Sequence, residues 1–217
     1  MASFEELQRE RLEKLNRLEA SGMKAFPIVS SPDATIAEVI SKFSSFKKKR
    51  SLTLVGRVVA LRGQGAILFF NFSDGETFQG FLKKDEMDGK EFALFVDTVD
   101  LGDFVEVSGS LFLTKRKEKT LQVKHWRMLS KSLRPLPDKW HGLENVEERF
   151  RKRYLDTISS PEVKERFVLR SQIITSLRSL LDKAGYLEVE TPLLQPLAGG
   201  ATALPFKTHH NALNIDL

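Results

Sequence analysis

Five segments between residues 51 and 132 are rich in branched and aromatic side chains: 52–61, 66–72, 77–82, 104–112 and 120–129. Such residues suit the pleated, half-buried surface of a strand. Asp74-Gly75 lies between the second and third segments and is a strong hairpin signal, because glycine accepts the positive φ of a tight turn. A helical pattern over 84–96 separates the third from the fourth.

Five strands with a helix between the third and fourth is the layout of an oligonucleotide-binding (OB) β-barrel. An SH3-like barrel also has five strands but usually lacks that helix. Strand parity then assigns faces. Leu68, Phe70 and Phe72 share the inward side, and Ile67, Phe69 and Asn71 point the other way. In the third strand Phe78 and Leu82 face inward, which puts Gln79 outward. An OB barrel binds oligonucleotides on its strand two and three face. Phe69 there can stack a base, worth about 1–3 kcal/mol, and Gln79 can offer a donor and an acceptor to a base edge. The competing readings are plain ones: a neighbouring loop covers the aromatic ring, and the glutamine is simply solvated. The basic loop Lys115-Arg116-Lys117-Glu118-Lys119 lies beside this face and can hold phosphates.

Before the barrel, Ser3 and Glu6 form a capping-box pattern. Phe4, Leu7, Leu15 and Leu18 recur at near-helical spacing until Gly22 and Pro27 end the segment. A second short helix is expected over 35–43, followed by Lys47-Lys48-Lys49-Arg50, either a solvated linker or a phosphate contact. After the barrel, Pro135, Pro137 and Gly142 mark an ordered connection. Ser160 and Pro161 then start a helix with the apolar stripe Val163, Phe167, Ile174, Leu177 and Leu181, and Gly185 stops it. An alternating strand is expected over 187–191, cut by Pro192, and another extended stretch near His210. The expected organisation is a helical extension (1–50), the OB domain (51–132), a linker (133–146) and the beginning of a second domain (147–217).

Composition removes several chemistries. The 217 residues hold no cysteine, so disulfides, thiolate metal sites and cysteine nucleophiles are excluded. His125, His141, His209 and His210 lack metal-ligand spacing, and no metal site is expected. The 34 basic and 29 acidic residues leave a charge of +5, which permits a nucleic-acid partner. No stretch reaches the roughly 18 apolar residues of a membrane span. The start, MASFEELQRERLEKL, lacks a signal peptide's apolar core, so a cytoplasmic protein is expected.

Three stretches carry a family resemblance: LRPLPDKWHGLENVEERFRKRYLD, VLRSQIITSLRSLLDKAGYLEVETPLLQ and PLAGGATALPFKTHHNALNIDL. Together they closely resemble the amino-terminal portion of bacterial-type lysyl-tRNA synthetases, of class II. Aspartyl- and asparaginyl-tRNA synthetases share the OB domain and the YLD stretch, whereas RPLPDKWHGL and GGATALPFKTHHNAL look specific to the lysyl family. The resemblance implies an α+β protein in which the OB barrel grips the tRNA anticodon. A phenylalanine stacks and a glutamine reads the central base, at positions matching Phe69 and Gln79. Arg62 and Glu118 match further anticodon contacts, although the family usually has a Gly-Glu pair where this chain has Lys117-Glu118. GYLEVETP resembles class II motif 1, which ends in Pro192 here and builds a homodimer interface. Gly199, Gly200 and Ala201 match a loop beside the lysine pocket.

The family activates lysine with ATP and Mg2+ and transfers it to tRNA. Motifs 2 and 3, which carry the ATP-clamping arginines and magnesium-holding acids, have no counterpart in these 217 residues. No catalytic residue is therefore assigned. The chain alone is expected to bind tRNA without charging it, and to bind ATP and Mg2+ poorly. The rival readings are a free-standing OB-fold RNA-binding or regulatory protein derived from a synthetase, and a structural role in dimerisation through the motif 1 segment.

Overall fold

The structure, a computed structural model, describes residues 3–137, 142–196, 204 and 206–217. These form two compact units, residues 1–155 and 156–217. In the first unit β1 (Leu52–Gln64), β2 (Ile67–Ser73), β3 (Thr77–Lys83), β4 (Phe104–Leu113) and β5 (Lys119–Ser130) close into a barrel of order β1-β2-β3-β5-β4. Neighbours run antiparallel except β3 and β5, which are parallel. Closure leaves no unpaired sheet edge. The α+β OB barrel read from the sequence is the fold observed, each strand agreeing to within three residues at either end.

Parity holds strand by strand. Phe70, Phe72, Phe78 and Leu82 are buried, and Leu68 packs against the core they form. Gly80 is required by this packing: a Cβ there would overlap the Phe70 ring. The β2–β3 turn has Gly75 at φ 141°, and the Asp74 carboxylate accepts the Ile36 amide at 2.9 Å. That bond ties α2 (Ile36–Ser41) to the barrel, where Ile36 and Val39 join its core.

Several helices differ from expectation. The helix expected over 35–43 breaks at Lys42 into α2 and the single turn α3 (Phe43–Phe46). The one expected over 84–96 is a 3₁₀ turn, Lys84–Glu86, followed by α4 (Gly89–Thr98). Asp88 makes the split, since its Oδ1 accepts the Lys90 and Glu91 amides and so starts a new helix. Phe95 of α4 is fully buried, 4.9 Å from Trp126.

The first helix, α1 (Phe4–Ala20), has the expected Ser3–Glu6 capping box; Leu7, Leu15 and Leu18 face inward as expected, Phe4 is exposed, and polar residues share the covered face. Arg11 donates to the carbonyls of Leu101, Ser132 and Arg134. Lys14 meets Asp100 at 2.6 Å, and the buried Lys131 bridges Asp100 and Asp103 at 2.6 and 2.7 Å. Burial pushes the Asp103 carboxyl up, whereas at Asp100 the bonds from Lys131 and Lys14 outweigh burial and hold the carboxyl low. This network anchors α1 and the start of the connection to the barrel.

Beyond the connection lie α5 (Val146–Arg151) and α6 (Arg153–Ser159), two short helices not expected from the sequence. The second unit is led by α7 (Pro161–Lys183). Ser160 occupies its N-cap position, but its side chain makes no capping bond, contrary to expectation. Of the α7 stripe only Val163 is buried; Phe167, Ile174, Leu177 and Leu181 are exposed. Residues 187–191, expected as a strand, have no strand partner among the described residues, and an unpaired segment is not a strand. A short hairpin pairs β6 (His209–His210) with β7 (Ile215–Asp216). Among the described residues, no helix is long and apolar enough to cross a membrane.

Candidate nucleic-acid interface

A cleft of about 430 Å³ lies on the outer side of the barrel beside the β4–β5 hairpin. Arg62 reaches it from β1, Phe69 and Asn71 from β2, Gln79 from β3, and Thr114, Lys115, Arg116 and Glu118 from the hairpin. The four barrel residues singled out in the sequence, Arg62, Phe69, Gln79 and Glu118, therefore share one wall-to-wall site. Their convergence follows from parity and register. Phe69 pairs with Arg62 across β1–β2, and Asn71 pairs with Gln79 across β2–β3.

The Phe69 ring is half-buried, not solitary. It packs on Phe81 with centroids 4.7 Å apart, and Phe81 meets Phe112 edge-on at 5.7 Å. Sequence parity also puts Phe81 outward, since it lies two residues from Gln79. Gln79 accepts a hydrogen bond from the buried Thr120 hydroxyl at 2.8 Å. Sequence reasoning missed Thr120, because a parallel β3–β5 pairing brings it to Gln79.

The hairpin is held by its own bonds. Lys117 N donates to the Thr114 carbonyl at 2.8 Å, Thr114 N to the Glu118 carbonyl and Glu118 N to the Thr114 hydroxyl, both at 3.0 Å. Its cations divide. Lys115 and Arg116 line the cleft, but Lys119, grouped with them in the sequence reading, is committed elsewhere. Its ammonium donates to the Ile40 carbonyl at 2.7 Å and lies over the Phe43 ring. That contact fastens α2 and α3 to the start of β5, so Lys47–Arg50 follow directly from a segment held against the hairpin.

The remaining expected positions lie elsewhere. Pro192 is exposed in the unpaired stretch after α7. Gly199, Gly200 and Ala201 lie outside the described residues.

A closed barrel of this order, with an aromatic ring, an amide and cations gathered on its outer face, has the form of an OB domain. Residues 52–129 match the family model of the OB-fold nucleic acid binding domain, and residues 145–216 match that of class II tRNA synthetases (D, K and N). Over 98% of its length the chain is 42% identical to the lysine–tRNA ligases of Dehalococcoides mccartyi and Carboxydothermus hydrogenoformans. It is 43% identical to that of Synechococcus sp. over the same share. Lysine–tRNA ligases are thus homologues of the chain, which carries an OB domain followed by a class II tRNA synthetase segment. The chain spans 43–44% of the length of these relatives.

Proposed function

We propose that this chain supplies the tRNA-gripping part of a lysine–tRNA ligase. Phe69 stacks an anticodon base, Gln79 reads its edge, and Arg62 and Glu118 contact flanking nucleotides. Lys115 and Arg116 take phosphates at the rim. The observation that carries this reading is the meeting of all four base-contact residues in one cleft, from three strands and a hairpin. Replacing Phe69 with alanine is expected to weaken tRNA binding by about 1–3 kcal/mol, the worth of one stacked base. Titration of the chain with lysine tRNA at fixed salt measures it. Unchanged affinity would return Phe69 to a packing role.

The complete reaction, activation of lysine by ATP followed by transfer to tRNA, is proposed for the protein of which these residues form part. ATP with Mg2+ would supply the activated phosphate chemistry. Among the described residues no group of three or more His, Asp or Glu could hold a metal ion, so no residue here is assigned to one. The loop 199–201 keeps its proposed place beside the lysine, and the segment around Pro192 its place in a homodimer interface. Exposed Leu177, Leu181, Leu187 and Val189 support that second assignment, because a dimer would cover them. The division at 50, 132 and 146 and a cytoplasmic location complete the proposal.

A further inference from the structure

Phe69 and Gln79 each have one flank already occupied, and in both cases the occupant sits directly across a strand pairing. Phe69 pairs with Phe81 in the β2–β3 register, with ring centroids 4.7 Å apart and planes at 39°. Phe112 of β4 supports Phe81 from behind at 5.7 Å. Neither Phe81 nor Phe112 lines the cleft. Gln79 pairs with Thr120 in the β3–β5 register, where the hydroxyl of the fully buried threonine donates to Oε1 at 2.8 Å. The same hydroxyl is 3.3 Å from the Glu118 carbonyl, so the amide oxygen is the nearer acceptor. With one of its two lone pairs engaged, Oε1 keeps a single acceptor site, and both Nε2 hydrogens remain for a ligand.

We propose that Thr120 and Phe81 are positioning residues that set, from behind, what Gln79 and Phe69 offer to a bound base. The proposal rests on the cleft being a base-binding site. A glutamine amide turns freely about its terminal torsion and can present either its donor or its acceptor. The Thr120 hydroxyl biases that choice, because its proton goes to Oε1 at 2.8 Å rather than to the Glu118 carbonyl at 3.3 Å. Gln79 then faces the ligand as a donor, matching a base edge that carries a carbonyl oxygen and opposing one that carries an amino group. Phe81 covers one side of the Phe69 ring and leaves the other to stack. Ordering both side chains before the ligand arrives removes an entropic cost from binding. The role of Thr120 is therefore discrimination between bases, and that of Phe81 is affinity for any base.

The test uses the 217-residue chain and two labelled RNA stem-loops that differ only in uracil or cytosine at the centre of the loop. Wild type is expected to favour uracil by about tenfold, the span of one good base-edge contact. Thr120→Ser keeps the hydroxyl and should keep that ratio, whereas Thr120→Val should collapse it towards one. Should Thr120→Val fail to fold, Thr120→Ala against Thr120→Ser makes the same comparison. Phe81→Leu should weaken both RNAs by about three- to tenfold with the ratio unchanged, and should cost nothing further once Phe69 is alanine. A preserved ratio in Thr120→Val, a wild-type preference for cytosine, or an equal Phe81→Leu loss with and without Phe69 overturns the assignment. If Phe69→Ala and Gln79→Ala themselves change nothing, the base-binding reading fails instead.

Discussion

Lys117 shows how a single residue carries strain at the edge of the site. It closes the β4–β5 hairpin at φ 63°, a conformation in which a side chain crowds its own carbonyl. The family resemblance implies glycine as the usual residue here, and glycine enters that region without penalty. Relieving the crowding gains about 1–2 kcal/mol, and the extra freedom of glycine in the unfolded chain returns about 0.5–1 of it. Lys117→Gly is therefore expected to stabilise the barrel by about 0.5–1 kcal/mol, read as a higher denaturant midpoint. A lower midpoint would mean that the lysine side chain contributes more at this turn than its backbone costs.

At the scale of elements, the β4–β5 pairing carries an ion pair that doubles as a clamp. Glu106 lies opposite Arg127 and accepts its Nε at 2.6 Å and Nη2 at 2.9 Å, and it takes the Ser31 amide at 3.0 Å. The bond from Arg127 is the main reason that the Glu106 carboxyl titrates below the usual glutamate range. A depressed folded value means that this contribution is fully present above the unfolded value, near 4.5, and fades as pH falls through the folded one. Glu106→Gln should lower stability by about 1–2 kcal/mol at pH 7, since Arg127 is partly solvated. The gap between variant and wild type should then narrow below about pH 4.5, in unfolding curves recorded from pH 7 downwards. A constant gap would show that charge plays no part in the clamp.

At the scale of the whole molecule, the distribution of cations matters more than the modest +5. Lys47, Lys48 and Lys49 are exposed and make no ion pair with the described residues, and α2 and α3 before them are pinned to β5 by Lys119. A nucleic-acid backbone passing from the cleft along the Lys119 side of the hairpin would approach this run. Replacing the three lysines with alanine is expected to lower affinity for any tRNA and to reduce the log–log salt slope by about 2, near 0.7 per lost contact on single-stranded RNA. An unchanged slope would leave the run as a solvated linker.

The strands of the barrel, and the outward placement of Phe69 and Gln79, were legible in the sequence because alternation is a local property: parity needs no knowledge of what lies across the strand. The capping box at Ser3 and the turn at Gly75 are local in the same way. What covers each face is not local. Thr120 reaches Gln79 over 41 residues through a parallel pairing, and Arg11 reaches carbonyls of Leu101, Ser132 and Arg134 that no helical period announces. The alternating residues 187–191 make the same point in reverse, since a strand pattern becomes a strand only when another backbone answers its hydrogen bonds. The chain's order of residues thus determined which side chains the barrel turns outward. Only the closed tertiary structure decided which of them share a cleft and which neighbours hold them there, because hydrogen-bond partners and buried faces are supplied by distant parts of the chain.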